Sequence, residues 1–342
     1  GTASTGIALL RGIDPDLETD VAKNLVLGSA VAARGAGGGG DAPLRLSILE
    51  MLSGKVMPQY WLCATPLYQA AADGRNRAIA CSLNQGGVNV KANIVYPDYS
   101  NSITNLANSI LQKWGFPING GTLELLDPYL VRDHKNIVVF LLDGLGKCII
   151  ERNLEKNGFL NSHLAGTFSS TFPSTTVAAT ASVDSGLAPC EHGWLGWTCY
   201  FPQIDRNVSV YRNTDPETGE MVAEESVVWT YCRYPRVIDK INAAGGKGYY
   251  VTPFIPPYPE SFEASCELIK AYCQEPGQKY IFCYCDEPDN TIHLTGCYSS
   301  EAKQVVSALE RRIETLAAEL KDTLIIVTAD HGMVDVKGVC IK

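Results

Sequence analysis

KNIVVFLLD, residues 135 to 143, is an apolar run that closes on an acid and is followed by Gly144 and Gly146. A strand with one wet face alternates apolar and polar residues, so an unbroken Ile-Val-Val-Phe-Leu-Leu series predicts a strand buried on both faces. KYIFCYCDEPD (279–289) and TLIIVTADHG (323–332) repeat the pattern, each an apolar run that ends in acids or in Asp-His. SFEASCELIKAYCQE (261–275) and EAKQVVSALERRIETLAAELKD (301–322) instead place apolar residues at helical spacing with charges between them. Buried strands alternating with amphipathic helices predict an α/β fold: a mostly parallel central sheet flanked by helices on both faces.

Ligands of such sheets bind beyond the carboxyl ends of the strands. Asp143 ends the first strand, Asp289 and His293 lie just past the second, and Asp330 with His331 end the third. Carboxylate oxygens and imidazole nitrogens suit zinc or manganese, and five such side chains at one sheet edge could hold two ions. Taken singly each has a plainer explanation, since Asp before Gly routinely closes a strand and His293 could be a surface imidazole. It is their coincidence at one edge that points to a site.

FPSTTVAATAS, residues 172 to 182, reads as a strand-to-helix corner with its proline just inside the helix start. Free backbone N–H groups and the helix dipole favour negative charge there, so a hydroxyl at that position ionises more readily. The alternative role of such a hydroxyl is a helix cap. Thr171, Thr175 and Thr176 all compete for the reactive position.

Composition narrows the remaining choices. At 342 residues the chain is long enough for one large α/β domain or for two domains. A net charge of −9 and a pI near 5.1 argue against a non-specific nucleic-acid binder or an anionic-membrane binder. The run IVVFLL (137–142) is far too short to cross a bilayer, so no membrane span is expected. The N-terminus lacks the basic start and apolar core of a signal peptide. Twelve cysteines are scattered without a CxxC pair, which predicts reduced thiols, with Cys283 and Cys285 in the core, and a cytoplasmic location.

The first 59 residues contain no aromatic residue, His or Cys, and RGAGGGGD (34–41) reads as a linker because no Lys-Ser/Thr follows it. Residues 1–90 carry seven basic and seven acidic side chains, so the net charge belongs to the remainder. The expected division is an N-terminal segment, 1–90, fused or flexible, and a catalytic domain, 91–342.

LLDGLG, FPSTTVAATASVDSGLAPCEHGWLGW, DEPDNTIHLTG and TADHGM, in that order, resemble the alkaline phosphatase superfamily in its type I phosphodiesterase/nucleotide pyrophosphatase branch. The resemblance covers about residues 91–342. It implies one metal held by Asp143, Thr176, Asp330 and His331, and a second held by Asp289, His293 and a further histidine. The family spacing of nucleophile, glycine and His-Gly selects Thr176, with Gly186 and His192-Gly193 in place, and makes His192 structural. The implied reaction is metal-dependent hydrolysis of a phosphodiester or nucleotide pyrophosphate through a phospho-threonine intermediate. Its substrate would be a small-molecule phosphate ester or nucleotide. Its cofactors would be two divalent metal ions, zinc, with manganese as the alternative.

The same ligands would serve a phosphomonoesterase or phosphomutase, and an inactive phosphate-ester-binding fragment is the reading from another class. The chain departs from the pattern in two places. Trp197 occupies the position of an asparagine that helps hold a phosphate oxygen, which makes it the expected substrate-binding residue and leaves the substrate open. The sequence also reaches Lys342 without the further histidine, so a domain incomplete at its C-terminus is expected, binding one metal well and the other weakly. Trp194, Trp197, Tyr200 and Phe201 either line the substrate mouth or pack in the core.

Overall fold

The computed structural model describes residues 96–335, together with the backbone of Ser4–Thr5, Cys81–Leu83 and Val90–Ala92. The expected N-terminal segment, its glycine run and the boundary near residue 90 otherwise lie outside the described residues.

Four parallel strands form the central sheet: β1 Asn136–Leu142, β2 Lys247–Val251, β3 Lys279–Cys285 and β4 Thr323–Thr328, in the order β4-β1-β3-β2. In register, Phe140 of β1 lies between Val327 of β4 and Cys283 of β3. Every residue of β1 is buried, as its unbroken apolar run requires of a strand with neighbours on both sides and layers on both faces. β2 is the strand that no apolar run announces. KGYYV opens with Lys247 and Gly248, sits at a sheet edge and is largely half-buried.

Parallel neighbours must be joined by crossovers, and here helices supply them. The helices used below are α1 Ile103–Lys113, α2 Lys147–Asn153, α3 Thr176–Ser185, α4 Val237–Ala243, α5 Phe262–Gln274, α6 Asp289–Thr295 and α7 Ser300–Glu319. Side chains alternate across a strand. Val138, Phe140 and Leu142 therefore meet Ile149 of α2, Ile269 of α5 and Val306, Leu309 and Ile313 of α7. Ile137, Val139 and Leu141 meet Ile103, Leu106 and Ile110 of α1, Val183 of α3 and Ile238 of α4 on the other face. In α7 the buried residues Ala302, Val306, Leu309, Ile313 and Leu316 recur at spacings of three and four, and Ser299 caps the first turn by accepting from the N–H of Ala302. Cys283 and Cys285 are both buried, and the nine described cysteines are unpaired.

A third cluster lies outside the sheet. Trp194, Phe201, Val208, Val227, Val228 and Tyr234 gather around a short hairpin, Thr198–Phe201 with Arg206–Ser209, and pack on Val177 and Ala181 of α3. The nucleophile-candidate helix is thus held between the sheet and this aromatic-rich layer. Among the described residues β4 pairs only with β1, and Leu324, Ile325, Ile326 and Val327 are half-buried. No helix among the described residues is long and apolar enough to cross a membrane.

Candidate active site

The carboxyl ends of β1, β3 and β4 bring the acids together through backbone contacts. The N–H of Asp143 donates to the carbonyl of Cys285 at 2.9 Å, which carries the β1–β3 ladder one residue past the strand. The N–H of Asp289, the first residue of α6, donates to the carbonyl of Asp143 at 3.1 Å and pins that helix to the end of β1. Gly144 then turns the chain at φ +72°. A Cβ there would lie 3.2 Å from Asp289 Oδ1 and 3.0 Å from Met333 Sδ, so glycine is what lets Asp289 come this close.

Asp330 is buried at the end of β4. Its Oδ1 accepts from the N–H groups of Gly144 at 3.1 Å and of His331 at 2.9 Å, and its carbonyl accepts from Ser170 Oγ at 2.5 Å. His331 Nε2 lies 3.2 Å from Asp143 Oδ1 and 3.6 Å from Asp330 Oδ2. His293 stands one helical turn beyond Asp289, with Nε2 3.4 Å from Asp289 Oδ2 and a side chain that is 68% exposed.

Thr176 is the first residue of α3 and is 4% exposed. Its Oγ1 lies 3.2 Å from His331 Nε2 and 3.3 and 3.5 Å from the two carboxylate oxygens of Asp143. Thr171 Oγ1 instead donates to the carbonyl of Pro173, and Thr175 occupies the N-cap position without a side-chain cap bond. Pro173 therefore precedes the N-cap and does not sit just inside the helix as expected.

The charges of this cluster are unbalanced. Burial opposes the charge of His331, but the carboxylates of Asp330 and Asp143 outweigh it and hold the imidazole at about 10. Burial likewise opposes the charge of Asp143, and its hydrogen bond and attraction to His331 overcome this and lower it. Burial raises Asp289 and Asp330, the latter to about 7. Three carboxylates thus share one buried imidazole, with the exposed His293 reaching only Asp289. Asp289 Oδ1 and Asp330 Oδ2 are buried without a hydrogen-bond partner, and Asp143, Asp289 and His331 each offer a ligand atom within 4.8 Å of the others. Oxygen and nitrogen donors with orphaned carboxylate oxygens fit a divalent cation.

Tyr284, which no motif marked, donates its phenol O–H to Asp143 Oδ2 at 2.5 Å. The only local signal was a hydroxyl-bearing ring near the end of an apolar strand. Trp197 is 57% exposed, and its ring meets Tyr211 edge-on at 5.5 Å. Core packing is what holds for two of its neighbours: Trp194 and Phe201 are buried, and the Trp194 ring lies 5.0 Å from Trp229 and 5.5 Å from Tyr234. His192 is buried and neutral, its pKa lowered by burial to about 3. Its Nδ1 accepts from the N–H of Trp194, which leaves the proton on Nε2 facing Ser182 Oγ.

The family model for type I phosphodiesterase/nucleotide pyrophosphatase matches residues 137–341. Among solved structures, murine ectonucleotide pyrophosphatase/phosphodiesterase 5, as an inactive variant in complex with AMP, is similar at 19% identity and a TM-score of 0.47. That match covers 58% of this chain and 57% of the other. A second structure of the same murine protein gives 19% identity and a TM-score of 0.46, covering 59% and 58%. The chain thus spans a little over half the length of these structures. No curated protein matches it.

Proposed function

We propose that this chain, which belongs to the type I phosphodiesterase/nucleotide pyrophosphatase family, hydrolyses phosphate esters by attack of Thr176 on phosphorus. The observation that carries this reading is the Thr176 hydroxyl. It is buried at the first residue of a helix, 3.2 Å from an imidazole and 3.3 Å from a carboxylate.

The first ladder bond of α3 runs from the N–H of Ala179 to the carbonyl of Thr175, so the N–H groups before it have no partner four residues back. They and the helix dipole favour negative charge on the non-bridging oxygens of an ester beside Thr176. The carboxylates alone would repel such an anion. Asp143, Thr176, Asp330 and His331 would hold one divalent ion, and Asp289 and His293 would contribute to a second. Zinc, with manganese as the alternative, would supply positive charge that acidifies the attacking hydroxyl and offsets charge on the ester.

The chain's own residues divide the remaining work. Asp330 is fixed by Gly144 and its own neighbour, and Asp143 faces the nucleophile. The Oγ1–phosphorus bond forms as the bond to the leaving oxygen breaks, the threonine proton being lost to solvent and the leaving group taking one up. Water then attacks phosphorus, the phosphorus–Oγ1 bond breaks and Thr176 regains its proton. A small phosphodiester or a nucleotide is the proposed substrate class. The exposed ring of Trp197 offers it a surface contact and an indole N–H.

Hydrolysis of bis-p-nitrophenyl phosphate and of p-nitrophenyl phosphate, with Zn²⁺ or Mn²⁺ added, tests the reading. Faster turnover of the diester is expected, and Thr176→Ala is expected to lose at least about 1,000-fold. Equal rates in variant and parent would remove Thr176 from the mechanism. Preference for the monoester would favour a phosphomonoesterase.

A further inference from the structure

Tyr284 lies beside Leu141 in the β3–β1 register, two residues before the acidic turn of DEPD, in a strand whose other members fill the core. Its hydroxyl reaches Asp143 Oδ2 at 2.5 Å, while Asp143 Oδ1 lies 3.2 Å from His331 Nε2. The two oxygens of this carboxylate are therefore unlike. Oδ2 carries the phenol and has Thr176 Oγ1 at 3.3 Å, whereas Oδ1 faces the imidazole of His331. A carboxylate turns freely about its last bond unless something fixes its plane, and a phenol fixes it without cancelling its charge. Lysine or arginine in this place would neutralise Asp143 and compete with a cation for it.

We propose that Tyr284 is a positioning residue that holds Asp143 by Oδ2 so that Oδ1 is presented to the cation shared with Asp289 and His331. The proposal rests on the cation-dependent reading above. Phenylalanine fills the same space but removes the phenol, leaving Oδ2 with only the Thr176 hydroxyl at 3.3 Å, and the ring still packs beside Phe254, whose centroid lies 5.9 Å away. Loss of such an outer partner typically weakens metal binding about 10- to 100-fold.

The test is titration of the full chain with Zn²⁺ alone against a chromophoric chelator, beside the visible spectrum of the Co²⁺-loaded chain. Tyr284→Phe is expected to bind Zn²⁺ about 10- to 100-fold more weakly and to shift the Co²⁺ bands, while its metal-free far-ultraviolet circular dichroism matches the parent's. Tyr284→His, which returns an N–H donor, is expected to recover part of the affinity and keeps the test open should the phenylalanine variant fold poorly. Tyr250→Phe is the matched control. It removes a phenol that donates to Asp184 in the same sheet and is expected to leave Zn²⁺ affinity unchanged. If the parent binds Zn²⁺, Asp143→Asn abolishes that binding and Tyr284→Phe equals the parent, the positioning role is overturned and the cation site stands. If the parent binds no Zn²⁺, the cation reading falls and takes this proposal with it.

Discussion

Gly144→Ala perturbs the fold and the site at one atom. The backbone at φ +72° costs an alanine about 1–2 kcal/mol, because its Cβ crowds the following carbonyl. The new Cβ also meets Asp289 Cβ and Oδ1 at 3.2 Å and Met333 Sδ at 3.0 Å. The methionine is flexible and can give way. Asp289 cannot retreat freely, because its N–H is bound to the carbonyl of Asp143 at 3.1 Å, so its side chain must leave its rotamer at about 0.5–1.5 kcal/mol. The expected loss is about 1.5–3.5 kcal/mol, read as a lower urea midpoint by circular dichroism with an unchanged slope. Gly120→Ala provides the comparison: φ is +83° and nothing lies within 4 Å of its Cβ, so only the backbone cost applies. Equal losses in the two variants, or no loss at Gly144, would refute the claim that glycine is there to admit Asp289. The crowding should also weaken Zn²⁺ uptake at Gly144→Ala alone.

Two further outcomes concern the scaffold. Asp184 is enclosed by the hydroxyls of Tyr250 and Tyr234, and burial raises it from 3.8 to about 6. The folded chain therefore keeps a proton that the unfolded chain has released. The stability contributed by this group is full below pH 3.8 and is lost as pH rises through about 6, by up to about 3 kcal/mol. Asp184→Asn should remove that slope, so a stability difference from the parent that is the same at about pH 4 and pH 7 would count against it. Phe140, fully buried and edge-on to Phe262 at 5.7 Å, should lose about 3–5 kcal/mol on change to alanine by denaturant unfolding; a loss under about 1 kcal/mol would contradict its place at the centre of the sheet.

The strands that could be read from the sequence are those whose chemistry is one-sided. β1, β3 and β4 announce themselves because apolar runs of that length, bounded by polar residues, have few other uses. β2 is silent: Tyr249 and Tyr250 split their surfaces between the core and polar partners, their hydroxyls reaching Glu275 and Asp184, so its hydropathy is mixed. The acids of the site were legible because they directly follow strands. Asp289 and His293, read as lying just past the second strand, stand on α6, which opens at Asp289, and share one helical face. The meeting of Thr176 with His331 joins positions 155 residues apart, which no local periodicity encodes, and a family motif was needed to choose among three threonines. Tyr284 left only the weak signal of a hydroxyl-bearing ring near a strand end, since a tyrosine in an apolar strand is ordinarily packing.

Asp330 and His331 are suspended from β4, an edge strand that pairs only with β1 among the described residues. Fraying of that margin would release two of the side chains around Thr176 while β1, β3 and β2 kept their mutual bonds. Turnover should therefore fade on mild warming before helical content does, with amide exchange at Ile325 and Val327 rising in step. The molecule's chemistry is in this sense less durable than its architecture.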